Sequence, residues 1–279
     1  KKPIKVKELE TASRASSAII KALVDKDILE YYLIQTDRIS YDGNTNDLKE
    51  LNEFQEQALQ EIKTSFKAKE VTLLHGITSS GKTEVYTKLI QDTLDSGKQA
   101  LFLLPEIALT TQIIVRLQHY FGNQISVFHS KYSMNERVEV WNNVLENKSK
   151  AQIILGARSS IFLPFSNLGL IVVDEEHETS YKQFEPSPRY NARDAAIVLS
   201  RLHQGKILLG SATPSLETYF NASENKYGLV ELNRRFGDVK LPKIELVDIK
   251  EKQRKREMIG HFSDTLLKQI QEELEENKQ

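Results

Sequence analysis

One short run constrains what this chain can fold into more than any other feature: "GITSSGKT", residues 76–83. It fits G-x-x-x-x-G-K-[ST], with Gly76, Gly81, Lys82 and Thr83 at the fixed positions. The glycines let the backbone curl, so that the N–H groups of Ile77, Thr78, Ser79 and Ser80 point inward at phosphate oxygens. The apolar run "VTLL" precedes the loop and a helical pattern follows it. A helix N-terminus then adds its partial positive charge to the same site. In that setting Lys82 reaches the β- and γ-phosphates of a nucleotide and Thr83 ligates Mg²⁺.

The rest of the chain supplies the matching context. From about residue 50, short apolar runs alternate with helical stretches: "VTLLHG" then 82–96, "ALFLLP" then 110–121, "SVFH" then 134–147. "QIILG" and "LGLIVVDE" follow, and a helix over 193–204 leads to "KILLGSATP". Ser133 and Glu136 have capping-box spacing at the start of the third helix. Buried strands alternating with helices predict an α/β fold with a parallel sheet covered on both faces. The composition, 39% hydrophobic and 28% charged, excludes a disordered chain. No apolar run approaches the ~20 residues of a spanning helix, so no membrane partner is expected. The N-terminus "KKPIKVKELE" lacks the apolar stretch of a signal peptide, which points to the cytoplasm. The chain contains no cysteine, which excludes disulfides and thiolate zinc sites within it. A net charge of −1 leaves nucleic-acid binding to local charge.

Residues 1–42 follow a different pattern. "VKELETAS" and "SRASSAIIKALVDKDILE" read as two helices, the second with Ile19, Ile20, Leu23 and Val24 on one face. "ILEYYLIQTDRISY" reads as two β runs around residues 35–37. Helix, turn, helix, hairpin is the order of a winged helix. Its Arg14, Ser16, Ser17 and Lys21 lie off the apolar face and could meet duplex DNA, although the domain could equally dock a protein. "DGNTNDLK" follows as a polar linker. The chain lacks an initial methionine and stops inside the helical pattern "LLKQIQEELEENKQ", so both ends read as cut.

"LIVVDEEH" ends an apolar strand on Asp174, Glu175, Glu176 and His177. Acids at the carboxyl end of a buried strand sit beside the phosphate loop in such sheets. Asp174 is expected to hold Mg²⁺, and Glu175 to orient and deprotonate an attacking water. The plainer reading of the acids alone is a solvated turn. "TSYKQFEPSPRYNARD" then interleaves Tyr181, Phe184 and Tyr190 with Lys182, Arg189 and Arg193. Rings that stack on bases and cations that track phosphates suit single-stranded nucleic acid. The alternative is a surface loop anchored by one or two buried tyrosines. "GARSS" offers Arg158 and Ser159, and the helix start at Thr110 offers a hydroxyl and amides, as phosphate contacts.

The acidic run resembles the DExH box of superfamily 2 helicases, and "GSATPSLE" resembles their S-A-T motif. That resemblance makes His177 part of the catalytic set and Ser211 and Thr213 a relay to the acidic box. "LNEFQEQAL" resembles their glutamine motif, so Gln55 is a candidate to read adenine. The runs 103–112, 128–141, 155–183 and 190–196 are together similar to the bacterial replication-restart DNA helicases. The resemblance implies a RecA-like P-loop helicase lobe with a central parallel sheet at 43–235, preceded by a small winged-helix domain. Residues 236–279 would be a linker and the first helix of a second lobe. It further implies ATP and Mg²⁺ as cofactors, with zinc only in a region downstream of this chain. The implied activity is 3′→5′ unwinding of single-stranded and branched fork DNA, with primosome and single-strand-binding proteins as partners. The arginines that the second lobe gives to hydrolysis would lie outside the chain, leaving it little activity alone. Two other readings stay open: a superfamily 2 double-strand translocase, and a nucleotide-sensing DNA-binding module without unwinding activity.

Overall fold

A computed structural model describes residues 4, 6–26, 28–29, 45–106, 108, 111–129, 132–234 and 244–275. Uninterrupted apolar runs can be buried on both faces only inside a sheet covered by helices, and six such runs form strands here. In chain order the elements are α1 (Val6–Ser13), α2 (Ser17–Val24), α3 (Glu53–Ala68), β1 (Val71–Gly76), α4 (Lys82–Asp95) and β2 (Gln99–Leu103). Then come α5 (Thr111–Phe121), β3 (Ile125–Phe128), α6 (Met134–Leu145), β4 (Ile153–Gly156), β5 (Leu168–Val173) and α7 (Ala192–Leu202). The chain continues through β6 (Lys206–Ser211), α8 (Leu216–Ser223), β7 (Gly228–Leu232), α9 (Ile249–Arg254), the pair β8 (Met258–Ile259) and β9 (Phe262–Ser263), and α10 (Asp264–Glu275).

The seven-stranded sheet has the order β3-β4-β2-β5-β6-β1-β7, and every pairing in it is parallel. Successive strand side chains point to opposite faces, so Leu74 and Phe102 pack under α3, α4 and α5, whereas Leu73 and Leu101 pack under α6, α7 and α8. Only β6 lies between β1 and β5. The phosphate loop and the acidic run therefore leave the same edge of the sheet, one strand apart.

The expected strands and helices appear within a few residues of their predicted ends, and the Ser133–Glu136 capping box is present at α6. A similar box, Asn52 with Gln55, starts α3. The sequence did not announce α9 or β7, whereas Thr213-Pro214 reads as a helix start and α8 begins just after it. At the N-terminus the second helix is shorter than its pattern, ending at Val24, and of its four apolar residues only Ile20 is fully buried while Ile19 is 52% exposed. The expected common apolar face is therefore incomplete. The two β runs expected around residues 35–37 lie outside the described residues, so α1 and α2 are the part of the proposed winged helix that the structure describes.

One glycine sets the spacing between sheet and helix beside the acidic strand. A Cβ on Gly210 of β6 would lie 1.8 Å from the hydroxyl of Tyr86 on α4. Tyr86 is completely buried and packs edge-on against Phe102 with ring centroids 5.6 Å apart. We expect Gly210→Ala to destabilise the fold by about 1–3 kcal/mol, as overpacking does. In a double variant with Tyr86→Phe part of that loss should return, because the clashing oxygen is gone. Urea unfolding of the four-member cycle checks the coupling.

Candidate active site

The loop after β1 is held open by its own backbone. Ile77 N–H donates to the Leu232 carbonyl at 3.2 Å and Ser80 N–H to the Ile77 carbonyl at 3.1 Å. Ser79 and Gly81 have φ of 63° and 85°. At Gly81 a Cβ would also lie 2.1 Å from Gln55 Nε2, so glycine is required there for both conformation and room. The Lys82 ammonium donates to the Gly76 carbonyl at 2.9 Å. Ser80 Oγ is buried with no hydrogen-bond partner among the described residues. An unsatisfied buried hydroxyl, a lysine resting on its own loop and a curled backbone ahead of a helix fit a phosphate group. Thr83 lies in the same wall. An open cleft of ≈ 420 Å³ faces the loop, bounded by Arg116, Asp174 and Glu175.

Gln55 stands at this cleft, but its amide is already engaged at both ends. Its Oε1 accepts from Asn52 N–H at 3.0 Å and its Nε2 donates to the Ser80 carbonyl at 3.1 Å. In this structure it braces the loop against α3 instead of presenting a free edge to a base. Arg116 of α5 also borders the cleft and pairs with Glu84; sequence reasoning gave it no role.

Across the cleft, Asp174 N–H continues the ladder to the Leu103 carbonyl at 3.0 Å. Its carboxylate accepts from the Tyr86 hydroxyl at 3.1 Å. Burial, reinforced by the neighbouring Glu175 charge, pushes its pKa up from 3.8 to about 6, against the opposing pull of Lys82. Tyr86 itself is raised by burial and then by Asp174. Tyr86 follows Lys82 by four residues, so helical spacing pointed it towards the same site. Glu175 adopts a left-handed φ of 47°, an uncommon conformation for a residue with a side chain. Its Oε2 lies 3.7 Å from His177 Nδ1. His177 Nδ1 is 2.8 Å from Ser211 Oγ, its Nε2 is 3.4 Å from Thr213 Oγ1, and Thr213 N–H donates to Ser211 Oγ at 3.0 Å. The acidic run and the S-A-T residues thus form one hydrogen-bonded cluster.

The loop after the acidic run departs from its predicted role at two residues. Tyr181 is 1% exposed, and its hydroxyl donates to the Leu103 and Asp174 carbonyls at 3.1 and 2.7 Å. No ring face is free for a base, so the stacking role expected of Tyr181 is corrected to that of an internal anchor. Arg193 likewise turns inward, with Nη1 donating to Glu176 at 3.0 Å and to Ser215 Oγ at 2.8 Å, and Nε to Asp194 at 2.9 Å; it is not the phosphate-tracking cation expected. Lys182 donates to the Arg189 carbonyl at 2.9 Å. Arg158 reaches the Ser180 and Lys182 carbonyls at 3.4 and 3.3 Å, with half-buried Ser159 beside it. Tyr190 packs edge-on against Phe162 at 4.9 Å. Phe184, 65% exposed, is the aromatic that the loop presents outward. Thr110 lies outside the described residues. Glu176, which sequence reasoning passed over, is the buried acid of the site and accepts from Ser215 N–H at 2.6 Å. The helix start at "PSLET" was the available sign of a donor for it.

Comparison with known proteins gives this geometry a lineage. The DEAD/DEAH box helicase family matches residues 52–221, from the cap of α3 into α8. The chain belongs to that family. Over 277 residues it is 38% identical to the replication restart protein PriA of Bacillus subtilis, covering 98% of this chain and 34% of that protein. Over 238 residues it is 45% identical to the replication restart protein PriA of Rickettsia felis, covering 85% of this chain and 35% of that protein. The chain spans about a third of the length of these curated relatives. Among solved structures, RecG bound to a three-way DNA junction aligns with a TM-score of 0.50 at 18% identity, over 81% of this chain and 27% of that one. That likeness shows the shared helicase-lobe fold. Among the described residues no helix is long and apolar enough to cross a membrane.

The raised Asp174 pKa has a stability consequence. The folded state binds its proton more tightly than the unfolded chain, so this contribution is present at low pH and is lost as pH rises through about 6. Above that window the buried carboxylate costs up to about 3 kcal/mol, at roughly 1.4 kcal/mol per pKa unit. Asp174→Asn should therefore raise unfolding free energy at pH 7.5 without nucleotide or Mg²⁺. The gain should shrink as pH falls towards 4, which urea melts across that range would measure.

Proposed function

We propose that this chain is the ATP-binding lobe of an ATP-dependent DNA helicase that unwinds in the 3′→5′ direction and acts in restart of stalled replication forks. The observation that carries the reading is the placement of Lys82, Asp174 and Glu175 around one cleft, one strand apart, within a chain 38% identical to a replication restart protein over nearly all its residues. In this reading the backbone N–H groups of Thr78, Ser79, Gly81, Lys82 and Thr83 meet the ATP phosphates, those of Ile77 and Ser80 being held by the Leu232 and Ile77 carbonyls instead of pointing at phosphate as expected, and Lys82 exchanges the Gly76 carbonyl for the phosphates. Thr83 and Asp174 would hold Mg²⁺, which when bound neutralises charge building on the phosphates. Asp174 is ionised in that role, and the hydroxyl of Tyr86 steadies it. Glu175, which lines the cleft, orients the attacking water and accepts its proton. His177, Ser211 and Thr213 join this acidic edge to the segment that follows β6.

Residues 1–42 are proposed as part of a winged helix, 43–235 as the first helicase lobe, and 236–279 as a linker and the start of a second lobe. Single-stranded and forked DNA, primosome proteins, single-strand-binding protein, a cytoplasmic location and a zinc region outside this chain belong to the same proposal. Phe184, with Lys182 and Arg189 nearby, is the outward surface best suited to a single strand.

In the full-length protein, Lys82→Ala is expected to abolish ATP-driven strand separation while leaving fork-DNA affinity within experimental error. A helicase assay and fluorescence anisotropy measure the two, and unwinding at the wild-type rate would overturn the assignment of the loop. The 279-residue chain by itself should hydrolyse ATP at least ~10³-fold more slowly than the full-length protein with DNA, since a transition-state arginine is worth that much in related phosphoryl transfer. Phosphate release from both proteins at saturating oligo(dT) provides the comparison.

A further inference from the structure

Both ends of the Gln55 amide are taken, one by the Asn52 N–H and the other by the Ser80 carbonyl. Freeing its Nε2 for a ligand would loosen the phosphate loop that it braces. The nucleoside end of the cleft therefore needs another partner, and α4 shows on which side it lies. Tyr86 of α4 points at Asp174, its hydroxyl donating to that carboxylate at 3.1 Å. Glu84 precedes Tyr86 by two residues, about 200° around a helix of 3.6 residues per turn. It thus stands on the side of α4 turned away from the acids. With the γ-phosphate towards Asp174 and Glu175, the α-phosphate and the nucleoside run towards Glu84.

That side carries a planar cation. Arg116, in the middle of α5, donates through Nη2 to Glu84, which is its one hydrogen-bond partner among the described residues. The Glu84 side chain is 18% exposed, whereas that of Arg116 stays 40% exposed where it borders the cleft. The guanidinium is therefore fixed at one edge and partly open elsewhere. The chain leading into α3 bounds the same space. Lys49 and Glu50 line the cleft, while Leu48 and Leu51 on either side of them pack on the core under α3, α4 and α5. Asn46 N–H donates to the carbonyl of His119, three residues beyond Arg116 on α5, at 2.7 Å. This strap is thus fastened to α5 at one end and runs into the cap of α3 at the other. A guanidinium is weakly hydrated and stacks on aromatic faces, which an ammonium such as that of Lys49 does with less contact. Its ion pair with Glu84 sets the plane in advance, so that less side-chain freedom is lost when a ring arrives.

We infer that Arg116, held by Glu84, is the base-binding residue of the cleft, its guanidinium plane stacking on the purine ring of the nucleotide while Gln55 stays a brace of the phosphate loop. This rests on the reading of the cleft as an ATP site. Arg116 then holds the nucleoside and leaves the phosphates to the loop.

The test uses the full-length protein with Mg²⁺, as wild type, Arg116→Met, Arg116→Lys and Gln55→Ala. Each is titrated calorimetrically with ADP and, separately, with inorganic tripolyphosphate, which offers phosphates without a nucleoside. Arg116→Met should weaken ADP binding roughly tenfold, within the range of cation stacking on a desolvated ring. Its affinity for tripolyphosphate should stay at the wild-type value, which also shows that the variant is folded with its loop intact. Arg116→Lys keeps the charge and loses the plane, so it should follow Arg116→Met. Gln55→Ala should weaken both ligands alike, by slackening the loop. Equal loss of both ligands in Arg116→Met would make Arg116 a phosphate contact or a prop of the loop and overturn the assignment. Wild-type ADP affinity in Arg116→Met, together with loss of ADP alone in Gln55→Ala, would return the base to Gln55. Full recovery of ADP binding in Arg116→Lys would reduce the contact to a point charge and equally overturn the stacking role. A wild-type protein that binds neither ligand would defeat the ATP reading itself, and the assignment with it, a result visible before any variant is made.

Discussion

The whole arrangement depends on parallel pairing across β5, β6 and β1. Parallel strands end on a common edge, and chain leaving that edge can be irregular without breaking the sheet. Three successive strand ends here release the acidic run, the S-A-T segment and the phosphate loop. Their separation is fixed by strand spacing, about 4.8 Å per step. No flexible loop has to bring Lys82 and Asp174 together. Core packing on both faces does it, through Leu73 on one side and Leu74 on the other. The same enclosure that positions Asp174 withdraws it from water, which is why burial leads the causes of its raised pKa.

Polar groups then secure what apolar packing cannot orient. Gln55 closes the cap of α3 with one end of its amide and holds the Ser80 carbonyl with the other. Tyr86 reaches through the core to Asp174, and Tyr181 comes from the opposite side to that residue's carbonyl. These bonds are individually modest, on the order of 1 kcal/mol. Their value lies in geometry: each joins a residue at the cleft to an element that cannot move without repacking.

The phosphate loop, the acidic strand and the alternation of strands with helices were legible because each is local: a spacing, an apolar run, a change of period. What failed was direction. Tyr181 and Phe184 stand three residues apart in one aromatic and basic stretch, yet one faces the core and the other solvent. Arg193 looked like its neighbour Arg189, but a buried acid 17 positions upstream claims it. Glu176 was hidden for the converse reason, since its partners on α7 and α8 are brought to it only by the fold. Strand β7 was missed because an edge strand with exposed alternate residues lacks the continuous apolar run of the inner strands.

The left-handed backbone at Glu175 has a meaning for how this sequence can change over time. That conformation suits glycine, and asparagine or aspartate next, better than glutamate. Random substitution that merely favours folding would drift away from glutamate at this site. If Glu175 is the water-orienting base proposed above, this is a position where selection for chemistry opposes selection for stability. In any lineage released from the need to hydrolyse nucleotide, position 175 is among the first places where that release would be written.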